Sequence, residues 1–148
     1  MLRINDILDK AAAYLPPKDL EMIEKAYVFS ATVHQGQVRL SGEPYLTHPM
    51  EVAGILVDMK MDAATIITGL LHDTVEDTLT TAKQIREGFG KDVAFLVEGL
   101  TKIGKITFAS QEERQAENFR KMMLAMSSDI RILLVRLADR IHNMRTLQ

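Results

Sequence analysis

Ala63-Ala64-Thr65-Ile66-Ile67-Thr68-Gly69-Leu70-Leu71-His72-Asp73 is the segment on which the fold turns. Residues 63–71 carry no charge and are apolar nearly all round. A helix of that kind has no face to offer water, so it belongs at the centre of a packed domain. At nine residues it falls far short of the about 20 that a membrane-spanning helix needs. Asp62 precedes it as an N-cap, since a carboxylate there accepts from an otherwise orphaned backbone N–H. His72-Asp73 closes it, so a polar pair arrives at the end of the most apolar helix in the chain.

Outward from this segment, apolar residues recur every three and four positions and strand-like alternation is scarce, which predicts an all-α domain. Asn5–Leu15 reads as a helix ended by Pro16-Pro17, and Asp19–His34 as the next, with Leu20, Ile23, Tyr27 and Val33 facing the core. Gly36, Gly42 and Pro44 make Gln35–Leu46 a loop. Thr47 is the expected N-cap of a helix reaching Met59, with Pro49 just inside it, and Thr80 that of a helix ending near Gly88. Further helices are expected at Lys91–Leu100, Gln111–Ser127 and Asp129–Leu147, with a loop at Lys102–Ser110. In the last helix, Ile130, Leu133, Leu134, Leu137, Ile141 and Met144 form one apolar stripe. Asp139, Asn143 and Thr146 share another face with Ile132 and Val135, so the helix is expected to be buried on both sides. A carboxylate on such a face calls for a cation.

The chain has 148 residues, enough for one domain, with 47% hydrophobic, 26% charged and 5% aromatic residues. That balance excludes a disordered or collagen-like chain. Cysteine is absent, which removes disulfides, thiolate metal sites and cysteine nucleophiles together. The opening Met1-Leu2-Arg3-Ile4-Asn5-Asp6 lacks the apolar core of a secretory signal, so a cytoplasmic location is expected. A net charge of −2 argues against a broad nucleic-acid surface. Any bound polyanion must be held locally or through a metal.

Chemistry concentrates around four histidines, His34, His48, His72 and His142. Each alone reads most simply as a structural residue. The combination reads differently: His72-Asp73 is followed by Glu76-Asp77, and a buried-face Asp139 lies far downstream. Imidazoles supply neutral nitrogen and carboxylates supply hard oxygen, the donor set of a divalent cation.

The order His … His-Asp … Asp on helices resembles the HD superfamily of metal-dependent phosphohydrolases. Within it, four blocks are similar to the amino-terminal hydrolase domain of the RelA/SpoT homologues. The first runs through His34-Gln35-Gly36-Gln37-Val38-Arg39, Ser41-Gly42-Glu43-Pro44-Tyr45 and His48-Pro49. The second is Leu70-Leu71-His72-Asp73-Thr74-Val75-Glu76-Asp77-Thr78. The third is Gln115-Ala116-Glu117-Asn118 with Arg120-Lys121, and the fourth is Leu137-Ala138-Asp139-Arg140-Ile141-His142-Asn143-Met144-Arg145-Thr146-Leu147. The similarity spans about residues 20–148.

The resemblance implies an HD-domain helical bundle over residues 1–148, lacking the later helices of such domains and cut from a longer bifunctional protein with synthetase and regulatory parts. It implies hydrolysis of the 3′-pyrophosphate of guanosine tetra- and pentaphosphate (ppGpp and pppGpp) in stringent-response control, with Mn2+ as cofactor, no direct nucleic-acid binding and no membrane partner. Position by position, it makes His48, His72, Asp73 and Asp139 metal ligands, and Glu76 and Asp77 the acidic pair that handles the attacking water. Arg39 and Ser41 match a loop beside the guanine base, Asn143 and Thr146 match residues that hold the nucleotide, and His34 matches a histidine near the site. Lys102, Lys105, Arg114, Arg120 and Lys121 are further candidates to meet phosphate. Leu40 departs from the basic or small polar residue common between the matches to Arg39 and Ser41. Two other readings stand beside this one: an HD phosphohydrolase for a different nucleotide, and a catalytically silent metal- and nucleotide-binding regulatory domain.

Overall fold

The structure, a computed structural model, describes residues 2–35, 46–104 and 129–146. Eight helices occur among the described residues, and no strand: α1 (Ile4–Ala12), α2 (Pro17–Val33), α3 (Thr47–Asp58), α4 (Ala63–Leu71), α5 (Thr74–Asp77), α6 (Ala82–Phe89), α7 (Lys91–Gly104) and α8 (Ile130–Thr146). The expected all-α bundle is what forms. No helix among the described residues is long and apolar enough to cross a membrane.

The uncharged segment is the central helix. Every residue of α4 from Thr65 to Leu71 is buried, and α4 packs against α2, α3, α7 and α8. Asp62 caps it as expected, accepting from the Thr65 N–H at 3.1 Å. Gly69 lets α3 approach closely: a Cβ there would lie 2.8 Å from Leu56 Cδ1 and 3.4 Å from Val52 Cγ1. Leu56 and Val52, with Leu70, Leu71, Leu96, Ile132 and Val135, belong to one continuous core.

Several boundaries differ from the sequence reading, each for a local reason. Pro17 opens α2 instead of merely ending α1, because proline lacks the N–H that a first helical residue leaves unbonded. Thr47 is already helical and Leu46 occupies the cap. Thr81, not Thr80, caps α6: its hydroxyl accepts from the Gln84 N–H while the Gln84 side chain accepts from the Thr81 N–H. Gly90, at φ +96°, ends α6 in a conformation that suits glycine. Helix α7 runs on to Gly104, past the expected end at Leu100, and within this extension the Thr101 hydroxyl donates to the Val97 carbonyl at 3.0 Å. Of the expected core positions on α2, Ile23 is buried, whereas Leu20, Tyr27 and Val33 are half-buried. The expected helix Gln111–Ser127 lies outside the described residues.

The largest correction concerns α8. Its apolar stripe does not pack inward: Ile130, Leu137, Ile141 and Met144 are exposed, and Leu133 and Leu134 are half-buried. The buried face carries Ile132, Val135, Ala138, Asp139 and His142. Rotation of α8 is thus set by the partners that Asp139 and His142 find, not by the larger apolar area.

Two ties hold α8 in register beside α4. At the amino ends, the Arg131 guanidinium donates to Asp62 on the α4 cap at 2.9 Å, to Asp92 on α7 at 2.8 and 2.9 Å, and to Asp129 at 2.5 Å. This hydrogen bonding holds the Asp129 carboxyl below its ordinary range, against the opposing effect of burial. Further along, Asp139 on α8 meets His72 at the end of α4. The two helices therefore run in the same direction, α4 fastened at both ends and α8 at its start and its middle. Arg131→Met should lower stability by about 1–2 kcal/mol, the scale of charge-assisted hydrogen bonds discounted for solvent screening at Asp62 and Asp92. Urea unfolding of the two proteins at matched salt measures this.

Candidate metal centre

Three helices deliver the polar interior. His48 lies in the first turn of α3, His72 is the residue that ends α4, and Asp139 lies in the middle of α8. All three are buried. Asp139 Oδ1 is 2.5 Å from His48 Nε2 and 3.2 Å from His72 Nε2. One donor atom from each residue lies within 4.8 Å of the others, the one such group among the described residues. Asp73, next to His72, sits at the rim, with Oδ2 3.2 Å from His72 Nε2 and its side chain 23% exposed.

Each ring is oriented through its other nitrogen. His72 Nδ1–H donates to the Gly69 carbonyl at 2.7 Å, an acceptor near the carboxyl end of its own helix, and this turns Nε2 toward Asp139. His48 Nδ1 lies 2.5 Å from His142 Nδ1, and the two rings stack with centroids 4.8 Å apart and planes at 30°. His142 was assigned no role from sequence. The signal was present: it stands three residues after Asp139, on the same face as Ile132, Val135 and Ala138.

Electrostatics follow from this packing. Burial alone would push the His72 imidazole toward neutrality, but the charges of Asp73 and Asp139 outweigh it and push the pKa up to about 9. Burial likewise opposes ionisation of Asp139, yet hydrogen bonds from His48 and His72 hold its carboxyl far below the usual range. Arg136 adds a long contact, its guanidinium 3.5 Å from the second carboxylate oxygen. The site is thus a negative centre filled by ring protons. A divalent cation exchanging with those protons would find two imidazole nitrogens and a carboxylate oxygen already converging, with Asp73 alongside. The donor set fits first-row divalent metals, and backbone and ring partners behind the ligands match the usual support of metal-binding histidines.

The remaining expected site residues distribute as follows. Glu76 and Asp77 lie on the single turn α5, directly after His72-Asp73; their side chains are outside the described set. Asn143 is half-buried on α8, one turn beyond Asp139. Thr146 is the final residue of α8, its side chain outside the described set. His34 is buried at the end of α2, where Nδ1–H donates to the Ser30 carbonyl at 3.0 Å. Arg39, Ser41, Leu40 and the basic residues Lys105, Arg114, Arg120 and Lys121 lie outside the described residues.

Comparison with known proteins now decides the family. The HD domain pattern matches residues 26–148. The chain belongs to the HD domain family. Its curated relatives are RelA/SpoT proteins. The HD domain is 64% identical over 137 residues to a protein named GTP pyrophosphokinase from Myxococcus xanthus, and 52% identical over 134 residues to the bifunctional (p)ppGpp synthase/hydrolase SpoT of Escherichia coli K12. Each match covers 90% of this chain but 18% and 19% of the relative, so the HD domain spans about a fifth of their length. A solved structure of a metazoan ortholog of SpoT, described as hydrolysing ppGpp, superposes with a TM-score of 0.68 at 28% identity, over 91% of this chain and 72% of that one.

The metal-free HD domain should show a definite pH dependence. Because the folded pKa of His72 is raised from 6.5 to about 9, its attraction to Asp73 and Asp139 contributes fully below pH 6.5 and is lost as pH rises through about 9. Chelator-treated protein should therefore lose thermal stability across that interval, and Asp73→Asn should flatten the loss. Differential scanning calorimetry at a series of pH values checks both.

Proposed function

We propose that this HD domain hydrolyses the 3′-pyrophosphate of guanosine tetra- and pentaphosphate, giving GDP or GTP and pyrophosphate, with Mn2+ bound by His48, His72, Asp73 and Asp139. The observation that carries the reading is the convergence of His48, His72 and Asp139 within 4.8 Å in a buried site. It is supported by 52% identity over 134 residues, 90% of this chain, to a relative named guanosine-3′,5′-bis(diphosphate) 3′-pyrophosphohydrolase. We read residues 1–148 as the hydrolase part of a longer protein that also carries synthetase and regulatory parts, in keeping with the length of those relatives.

Manganese in this site supplies Lewis acidity, lowering the pKa of water and offsetting charge on phosphoryl oxygens. The chain's own groups do the rest. Glu76 and Asp77, one turn beyond the ligands, orient the attacking water and take its proton, as general bases within hydrogen-bond reach do. Water oxygen forms a bond to the phosphorus that carries the ribose 3′ oxygen. The bond from that phosphorus to the 3′ oxygen breaks, and the proton ends on the ribose hydroxyl. Arg39 and Ser41 hold the base, Asn143 and Thr146 hold the nucleotide, and His34 contributes to the same substrate site. With a net charge of −2, the HD domain binds such a polyanion only through a local, oppositely charged arrangement.

Incubation with ppGpp and Mn2+, with pyrophosphate and GDP quantified, tests the reading directly. His72→Ala should abolish both calorimetric Mn2+ binding and turnover. Glu76→Ala should keep Mn2+ and lose turnover by about 10²–10⁴-fold, the usual contribution of a general base. Loss of metal in Glu76→Ala would recast that residue as a ligand, and release of pyrophosphate or phosphate only from a different nucleotide would reject the substrate. Arg39→Ala should raise KM more than it lowers kcat, the signature of a contact made equally in ground and transition states.

A further inference from the structure

We propose that His142 is a positioning residue for the metal centre: it accepts the Nδ1 proton of His48 and thereby leaves His48 Nε2 unprotonated and aimed at the cation. This inference rests on the reading of His48 as a ligand.

Two ring nitrogens 2.5 Å apart must share one proton. Two protons would clash there, and two lone pairs would repel, so one ring donates and the other accepts. Both rings are buried, at 3% and 5% exposure, so bulk water barely reaches either partner. Stacking at 4.8 Å between centroids further restrains the His48 plane.

Helix α8 grips the same imidazole at both nitrogens. Asp139 Oδ1 lies 2.5 Å from Nε2, and His142, three residues later, meets Nδ1. In the metal-free protein, an Nε2–H of His48 can point at the Asp139 carboxylate. A cation seated between His48 and Asp139 needs the Nε2 lone pair instead, so a neutral ring must carry its proton on Nδ1. His142 then has one role open toward His48, that of acceptor through Nδ1, which places its own proton on Nε2. His72 solves the same problem with a backbone carbonyl, that of Gly69, at 2.7 Å. Helix α3 gives His48 no equivalent, because a residue in a first turn has no preceding helical carbonyl behind it. His142 supplies from α8 what α3 cannot.

Calorimetric titration of Mn2+ into chelator-stripped wild type, His142→Phe and His142→Asn tests the proposal, with the thermal midpoint of each metal-free protein measured alongside. Phenylalanine keeps the stacked ring and removes the acceptor. Asparagine restores an oxygen at the Nδ1 position. H142F should bind Mn2+ about 10–100-fold more weakly than wild type, the range seen when an outer partner of a metal-binding histidine is lost, and H142N should recover most of that affinity. If H142F does not fold, His142→Gln takes its place: its oxygen falls near Nε2, so H142Q should bind weakly where H142N binds well. Wild-type affinity in a folded H142F or H142Q, or equal losses in H142N and the variant without the acceptor, would overturn the proposal. A wild-type protein that binds no Mn2+ would overturn the metal reading and this inference with it, whereas a metal-binding wild type with unaffected variants would overturn the inference alone.

Discussion

A carboxylate held inside the domain is the constraint on which the structure depends. The Asp139 side chain is only 12% exposed, on a helix face that also carries Ile132, Val135, Ala138 and His142. Left alone there, an ionised carboxyl would cost several kcal/mol or would take up a proton. It does neither, because two imidazoles from other helices point at the same oxygen. The requirement is mutual: His48 and His72 are themselves buried polar groups that need a partner. Satisfying all three at once fixes the rotation of α8, the end of α4 and the first turn of α3 relative to one another.

That requirement explains a choice that hydrophobic area alone would have decided the other way. Helix α8 turns Leu137, Ile141 and Met144 outward and keeps a charged residue inside. Area-proportional burial is non-directional and tolerates many rotations, whereas a buried hydrogen-bonded charge has few acceptable geometries. Arg131 at one end and Asp139 further along then leave α8 no freedom to slide along α4. The centre is thereby anchored on helices α3 and α8 and on the turn that closes α4.

A divalent cation would compete with protons for the same atoms. The carboxylates that draw a proton onto His72 also create the negative field into which a divalent cation would move. Tautomer control belongs to this competition. A backbone carbonyl lies against Nδ1 of His72, and a second imidazole lies against Nδ1 of His48. A centre described only by the residues that face the ion would omit half of what determines its protonation.

The all-α class, the central position of α4, the Asp62 cap and the burial of Asp139 were legible in the residue pattern, whereas its meeting with His72 was implied only by the family resemblance. Each legible feature is a local consequence of periodicity, of capping chemistry or of a charge placed among apolar neighbours. Boundaries such as Thr81 for Thr80, or Pro17 as a helix opener, were missed because adjacent residues offer nearly equal local solutions and the next turn chooses between them. His142 was missed because a histidine's role depends on what lies across the helix interface, and its partner is far away in sequence. Burial of α8 on both sides was expected because two of its faces are apolar enough to pack, and the stripe with Ile130, Leu137, Ile141 and Met144 is exposed instead. Periodicity along one helix carries no information about which distant side chains wait opposite it. The sequence by itself thus determined that the domain is all-α and that a carboxylate lies on a buried face of its last helix; only the tertiary structure decided which side of α8 faces inward, since that choice is made by buried groups on three helices satisfying one another.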